Sequence, residues 1–413
     1  MVDARVRSLD LGRREPGDAR RRRRAAALGG GARGVADRRS ALALGAALRH
    51  GRTLPSALRP RSARLRASSG SRAVSAAPAV TVIMPIRNEG SFIERSLGAV
   101  IAQDLPSGRM EILVADGRST DDTRARIAEL ARRYPEVPIE VIDNPGGIVP
   151  TGMNVALRRA RGEVVVRVDG HTIVEADYAR RCLEALERTG ADCVGGRMDA
   201  VADAAFGRAV SLATSSPFGV GGARFHYSPR EEDVDTVYMG AWRRDVFRRL
   251  GGFDEEMVRN QDDELSYRIR ERGGRIVLDP AIRSRYYPRS TLRTLWRQYF
   301  QYGYWKVRVM QKHPLQMRAR HFAPPALAAA LALGALLAPF AAPIRLGFLA
   351  LALIYLLALL GASSWTARRA DLASAPWLPV VFAILHLAYG AGFLVGLLRF
   401  GGRWGERPIE AAP

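Results

Sequence analysis

Cysteine is scarce in this chain: Cys182 and Cys193 are the only two in 413 residues, and neither sits in a CxxC spacing. A disulfide-stapled framework and a cysteine-ligated zinc site are therefore excluded, and both thiols read as packing residues. An export signal is missing as well. The apolar stretch over residues 41–48 is shorter than the about 20 residues a membrane span needs, and no convincing cleavage region accompanies it. Residues 1–77 also lack any sustained apolar period. They are rich in Arg, Ala, Gly and Ser, carry a run of arginines from Arg20 to Arg24, and read as a disordered extension. A nucleic-acid-binding arm and an upstream mis-assigned start codon are the alternatives for that block.

What is present is enough apolar material, 47% of residues, to bury a full core and to build more than one structural unit. The net charge of +22 suits a polyanionic partner, either nucleic acid or an anionic membrane face. The basic residues are nearly all arginine, which codon bias explains as readily as function, so charge alone does not choose between those partners. No specific nucleic acid is expected.

Over residues 78–290 the pattern becomes that of a domain in which short apolar runs alternate with amphipathic segments. Strands are predicted at 80–85, 111–115, 139–142 and 163–168, and helices at 90–103, 121–134 and 151–160. Apolar runs separated by covering helices make parallel strands of a doubly wound α/β sheet, because the crossovers shield both faces. The expected fold is therefore Rossmann-like α/β with a mainly parallel sheet. Ligands of such sheets lie beyond the carboxyl ends of the strands. Asp116 and Asp169 each fall at such an end and should face one cleft.

The composition changes again near residue 322. Three apolar stretches, 323–342, 377–398 and the shorter 346–361, approach or reach bilayer-spanning length, so residues 322–400 read as about three transmembrane helices followed by a polar tail over 401–413. With the α/β domain in the cytoplasm, three spans place Arg368 and Arg369 inside but leave Arg399, Arg403 and Arg407 outside. A two-span or re-entrant arrangement would repair that last loop. Between the two blocks, residues 291–321 read as an interfacial amphipathic segment whose aromatics and cations at 297–306 suit the headgroup layer.

Four segments carry candidate chemistry. The tripeptide Asp169-Gly170-His171 ends an apolar strand, and a carboxylate and an imidazole spaced i, i+2 there can share a divalent cation with a phosphate-bearing substrate. Otherwise it is a strand followed by an Asp-Gly turn. Asp116 opens the run ADGRSTDDT, either a nucleotide-contacting acid or part of an N-cap cluster. The glycine-rich NPGGIVPTGMN, with Asn154 in the helix that follows, either approaches a nucleotide or is only a turn. Finally, Gln261-Asp262-Asp263-Glu264 places three acids at a helix start. That suits either compensation of the helix dipole or a general base whose proton affinity is tuned by adjacent acids.

In order, PIRNE at 85–89, ADGRSTDDT at 115–123, VRVDGH at 166–171 and NQDDELSYR at 260–268 resemble the A-type fold of family 2 glycosyltransferases. The similarity is greatest to membrane-associated bacterial exopolysaccharide enzymes of the succinoglycan type, and it covers residues 79–306. It implies that Pro85, Arg87, Asn88 and Glu89 border the nucleotide, with Glu89 and Asp116 holding uridine. It implies that Asp169 and His171 stand for the Asp-x-Asp metal motif, a histidine replacing the second acid, which leaves the ion as Mn²⁺ or Mg²⁺. Asp262 matches the catalytic base of a Glu-Asp motif whose first residue here is Gln261. Gln301, Tyr304 and Trp305 resemble Gln-x-x-Arg-Trp with tyrosine for arginine; there Gln301 would contact the diphosphate and Trp305 stack on the acceptor. The glycine-rich segment 218–227, including His226, would form an acceptor loop.

The resemblance thus implies an inverting, metal-dependent hexosyltransferase of the bacterial inner membrane, multi-pass with a cytoplasmic catalytic domain. It would move sugar from a UDP-hexose or other nucleotide-sugar to a polyprenyl-diphosphate-linked or polysaccharide acceptor. One alternative is a processive synthase, against which the short spans and the missing motif arginine count. The other is a non-catalytic, basic, membrane-anchored nucleotide or nucleic-acid binding protein, since similar scaffolds serve many functions.

Overall fold

Strand β1, Val80–Ile86, is buried along its whole length, and its side chains divide by parity between two cores. Val80, Val82, Met84 and Ile86 enter one, Ile83 the other. β2 (Met110–Asp116) and β4 (Val164–Arg167) do the same, with Ile112, Val114, Val164 and Val166 on one side and Leu113, Ala115 and Val165 on the other. Both faces are covered, which is why these strands are continuous apolar runs and do not alternate with polar residues. The computed structural model describes residues 78–106, 108–288 and 291–404. The Arg-rich extension over 1–77, Arg407 and most of the polar tail lie outside the described residues.

Helix α1 (Ile93–Ile101) joins β1 to β2, and α2 (Thr123–Arg133) joins β2 to β3 (Ile139–Asp143). Helix α3 (Val149–Leu157) returns the chain to β4. These are the elements expected from the sequence, with ends shifted by a few residues. There follow β5 (Thr172–Val174), α4 (Tyr178–Thr189), β6 (Cys193–Ala200), α5 (Ala205–Thr214) and the single turn α6 (Pro217–Val220). Then come β7 (Glu232–Asp233), β8 (Tyr238–Arg243), α7 (Arg244–Leu250), α8 (Gln261–Glu271) and β9 (Ile276–Tyr286). The sheet order is β3-β2-β1-β4-β8-β6-β9-β5, with β7 paired to β9. β3, β2, β1 and β4 run parallel; β8 lies antiparallel to both β4 and β6. The sheet is therefore mixed, its N-terminal half wholly parallel. In β6 the register against β9 shifts around Gly196, where a Cβ would lie 1.9 Å from the Ile282 carbonyl oxygen. Only glycine permits that approach.

Four longer helices complete the chain: α9 (Leu292–Lys312), α10 (Ala323–Leu337), α11 (Ala342–Arg369) and α12 (Leu378–Arg399). Three helical stretches are long and apolar enough to cross a membrane: Ala319–Leu337, Ala342–Arg369 and Leu378–Arg399, of 19, 28 and 22 residues. The middle one, read from sequence as short, is the longest, because its helix continues past the apolar stretch through Ser363, Ser364 and Thr366 to Arg369. On α11, Leu346, Leu349, Leu353, Ile354 and Leu357 are exposed, as a lipid-facing surface requires.

Helix α9 couples the α/β domain to the apolar helices. It crosses α12 with backbones in contact: a Cβ on Gly303 would lie 1.9 Å from the Tyr389 carbonyl oxygen, and one on Gly392 1.9 Å from that of Phe300. At its C-terminal end Arg308, wholly buried, pairs with Glu256 at 2.8 Å, and Lys312 pairs with Asp254 at 2.5 Å and Glu256 at 2.8 Å. Charges removed from water this way persist only because each is matched and hydrogen-bonded.

Candidate active site

The order of the parallel strands creates a switch point. β2 and β3 are added on one side of β1, and the chain then returns to lay β4 on the other side, so a crevice opens beyond the carboxyl ends of β1 and β4. Pro85, Arg87 and Glu89 leave β1 there; Asp169 and His171 leave β4. All five line a cavity of about 1360 Å³ that extends from Asn144 and Gly147 at the β3 end to α9, α10 and α12 at the other. His226, Gln261, Asp262, Asp263 and Gln301 share its wall.

At the centre lies Arg167, the last residue of β4 and buried. Its Nε donates to Asp169 Oδ1 at 2.7 Å, and its Nη1 donates to Asp262 Oδ1. One guanidinium thus bridges acids separated by 93 positions in the chain, and brings the acid just past β4 and the acid in the first turn of α8 to one point. Burial pushes the Asp262 carboxyl up; Arg167 opposes that, and the nearby negative charges of Asp169 and Asp263 add to it.

The three consecutive acids of α8 have three different environments. Asn260, at φ 64° before the helix, holds its side-chain amide on the Tyr302 carbonyl at 3.0 Å. Asp262 faces Arg167. Asp263 takes the buried Lys306 ammonium from α9, which outweighs burial and holds its carboxyl below the ordinary value. Glu264 is buried beneath, bound by Arg268 at 2.7 Å and His313 at 3.1 Å. It does not reach the cavity. Proximity along the chain therefore says little about shared chemistry, because successive helical positions point about 100° apart.

Among the described residues no group of three or more His, Cys, Asp or Glu side chains could hold a metal. His171 Nδ1 lies 3.2 Å from Glu89 Oε1, while Asp169 is engaged by Arg167. Asp169 and His171 nevertheless open on the same cavity. A carboxylate oxygen and an imidazole nitrogen form a donor pair compatible with Mn²⁺ or Mg²⁺, which would need further oxygen ligands from outside this pair.

Of the other sequence-predicted residues, Asp116, Asn88, Asn154, Tyr304 and Trp305 stand apart from the cavity wall, and His226 lies on it. Asp116, fully buried, accepts from the Ser119 hydroxyl at 2.5 Å and from Arg124. Asn88, at φ 55°, joins the loops after β1 and β2: its amide N–H donates to Ser119 Oγ at 2.9 Å and its Oδ1 accepts from Thr120 N at 2.8 Å. Asn154 clasps Phe253 through that residue's N–H and carbonyl, both at 2.8 Å. Tyr304 and Trp305 pack on Phe400, with ring centroids 4.8 and 5.8 Å away. His226 ends a 3-10 turn, Arg224–His226, its Nδ1 buried without a partner; burial lowers its pKa to about 4. Sequence reasoning missed Arg167. Its signal was a charged residue inside the apolar run VVVRV, which a doubly covered strand tolerates only with a counter-ion.

Residues 81–251 match the model of the family "Glycosyl transferase family 2". The chain is 32% identical over 323 residues to the succinoglycan biosynthesis protein ExoA of Rhizobium meliloti, covering 77% of this chain and 95% of that one. A dolichyl N-acetyl-glucosaminyl phosphate diacetamido-dideoxy-glucuronosyltransferase of Methanococcus voltae is 26% identical over 239 residues, or 56% of this chain and 74% of the relative. Among solved structures, a mannosyltransferase of Pyrobaculum calidifontis in complex with GDP-Man and Mn²⁺ superposes with a TM-score of 0.52 at 22% identity, over 77% of this chain and 88% of that one.

Proposed function

The chain belongs to glycosyl transferase family 2, and on that premise we propose that it is an inverting hexosyltransferase acting at a membrane surface, with Asp262 as its base. The observation that carries this reading is the single guanidinium, Arg167, that holds Asp169 and Asp262 on one cavity wall. Arg87 borders the donor nucleotide; its Nη1 donates to the Gly147 carbonyl at 3.2 Å across the crevice. Glu89, Asp169 and His171 face the donor diphosphate. Asp169 and His171 would hold a divalent ion, which would supply charge neutralisation for the departing diphosphate; an Mn²⁺ complex of the Pyrobaculum calidifontis neighbour supports this assignment.

Asp262 accepts the proton of an acceptor hydroxyl. The hydroxyl oxygen bonds to the anomeric carbon from the face opposite the diphosphate, the anomeric C–O bond breaks, and its electron pair leaves on the diphosphate. A base must be ionised yet retain proton affinity. Burial raises that affinity for Asp262, and Arg167 restrains it. UDP-hexose is the proposed donor, and a polyprenyl-diphosphate-linked glycan the proposed acceptor. The second assignment is supported by a cavity wall that continues onto Pro324, Leu327 and Leu385 of the apolar helices, and by likeness to a succinoglycan biosynthesis protein. On this reading the protein is a multi-pass bacterial inner-membrane protein with a cytoplasmic catalytic domain, a reading supported by three helical stretches long and apolar enough to cross a membrane.

Asp262→Asn tests the assignment. It should lower transfer about 10²–10⁴-fold while UDP affinity, measured by calorimetry on the purified protein, stays within twofold of wild type. Wild-type turnover by the variant removes Asp262 from the role.

A further inference from the structure

The charges on the cavity wall do not balance. Its five acids all have partners: Glu89 faces His171, Asp169 and Asp262 share Arg167, Asp263 holds Lys306, and Asp235 holds Arg320. Three arginines on the same wall, Arg87, Arg259 and Arg297, have no acidic partner among the described residues. Arg87 lies at the donor end beside Gly147. Of the other two, Arg259 lies two residues before α8 and Arg297 on α9. Arg259 Nε donates to the neutral Gln301 Oε1 at 3.2 Å, and Gln301 follows Arg297 by four residues on α9, so Arg297 and Gln301 share the face of that helix to which Arg259 is hydrogen-bonded. Past them the wall turns apolar at Pro324 and Leu327 of α10 and Leu385 of α12.

We propose that Arg259 and Arg297, the former oriented by Gln301, form a second anion site that binds a phosphate group esterified to a lipid. Guanidinium planes match phosphate oxygens with paired hydrogen bonds, and two cations without acidic partners on one cavity wall, Arg259 half-buried and Arg297 exposed, favour an anion beside them. The adjoining apolar wall selects an anion attached to a hydrocarbon over a free one. This site rests on the reading that the acceptor enters from the α9 side of Asp262, and it supplies what that reading leaves open: how a lipid-linked acceptor is anchored while its sugar is presented to the base. Arg259 and Arg297 are positioning residues and touch no reacting atom.

The test uses full-length protein in lipid nanodiscs with UDP and Mn²⁺ saturating, so that the donor end is filled. Farnesyl diphosphate, inorganic diphosphate and farnesol are titrated by calorimetry. Farnesyl diphosphate should bind tighter than either fragment. Arg259→Gln and Arg297→Gln should each weaken it by about 10-fold or more, the usual effect of one charge-assisted contact, Arg259→Lys should fall between, and UDP affinity should not change. Equal affinity for inorganic and farnesyl diphosphate would overturn the lipid assignment. Farnesol binding as tightly as its diphosphate, or undiminished binding by the double variant, would overturn the anion site. A wild-type protein that binds farnesyl diphosphate in an Arg259-dependent manner yet fails to bind UDP would support this site and defeat the donor reading instead.

Discussion

Replacing Arg167 by methionine isolates the one interaction that assembles the site. The variant keeps the apolar stem of a buried side chain and deletes the charge shared by Asp169 and Asp262. Breaking a buried ion pair from one side costs about 3–5 kcal/mol, because the remaining charge stays desolvated. Here two carboxylates are stranded, but Asp262 has an escape: burial already raises its pKa, and without Arg167 it protonates more readily. The sign follows from linkage. A group whose folded pKa lies above its unfolded value stabilises the fold below the unfolded pKa, and that contribution is lost as pH rises through the folded pKa. Arg167→Met should therefore be nearly as stable as wild type near pH 4 and progressively less stable toward pH 8. Thermal unfolding in detergent at both pH values reads this, and the acidic limb of kcat/KM for transfer should move to higher pH. Arg167→Lys, which reaches one carboxylate and not both, should lie between. Equal loss of stability at both pH values, or an unmoved activity profile, would refute the idea that this guanidinium sets the ionisation of Asp262.

The remaining expectations concern the metal and the helix that couples the two halves. Chelation with EDTA should abolish transfer, and added Mn²⁺ should restore it better than Mg²⁺; His171→Asp should shift that preference toward Mg²⁺, whereas full activity in EDTA removes the ion from the scheme. Glu256 receives Arg308, Lys312 and Arg403, and although burial would raise its pKa, Arg308 and Lys312 lower it to about 2. Its contribution to stability should be complete above its ordinary value and disappear as pH falls toward 2, so Glu256→Gln should be less stable at neutral pH and show a flatter acid limb of unfolding. Gly303→Ala places a methyl 1.9 Å from the Tyr389 carbonyl oxygen. It should destabilise by about 1–3 kcal/mol and reduce transfer by moving α9, seen as a lowered Tm with unchanged UDP binding.

The parallel half of the sheet was legible because β1, β2 and β4 are apolar runs bounded by amphipathic helices, a pattern with few other solutions. The mixed half was not. β5 and β7 span three and two residues, too short for any period, while β6 contains Gly195 and Gly196 and β9 contains Pro280, residues that argue locally against a strand. Their pairing is set by neighbours far along the chain. The same distinction governs the site. Asp169, His171 and Asp262 announce themselves as residue types at a strand end and a helix start. Asp263 and Glu264 are acids like Asp262 in sequence; Arg268 reaches Glu264 from four residues along the same helix, but Lys306 and His313 reach Asp263 and Glu264 only when the distant α9 segment folds against α8.

Residue order alone determined the fold class, the switch-point crevice and the apolar helices, because these follow from periodicity and from the covering of both sheet faces, which are local properties of the chain. Tertiary structure decided which acid meets which cation and which arginines remain unmatched. Charge pairing acts through space over a few ångströms, between groups such as Arg167 and Asp262 that only the folded chain brings within reach.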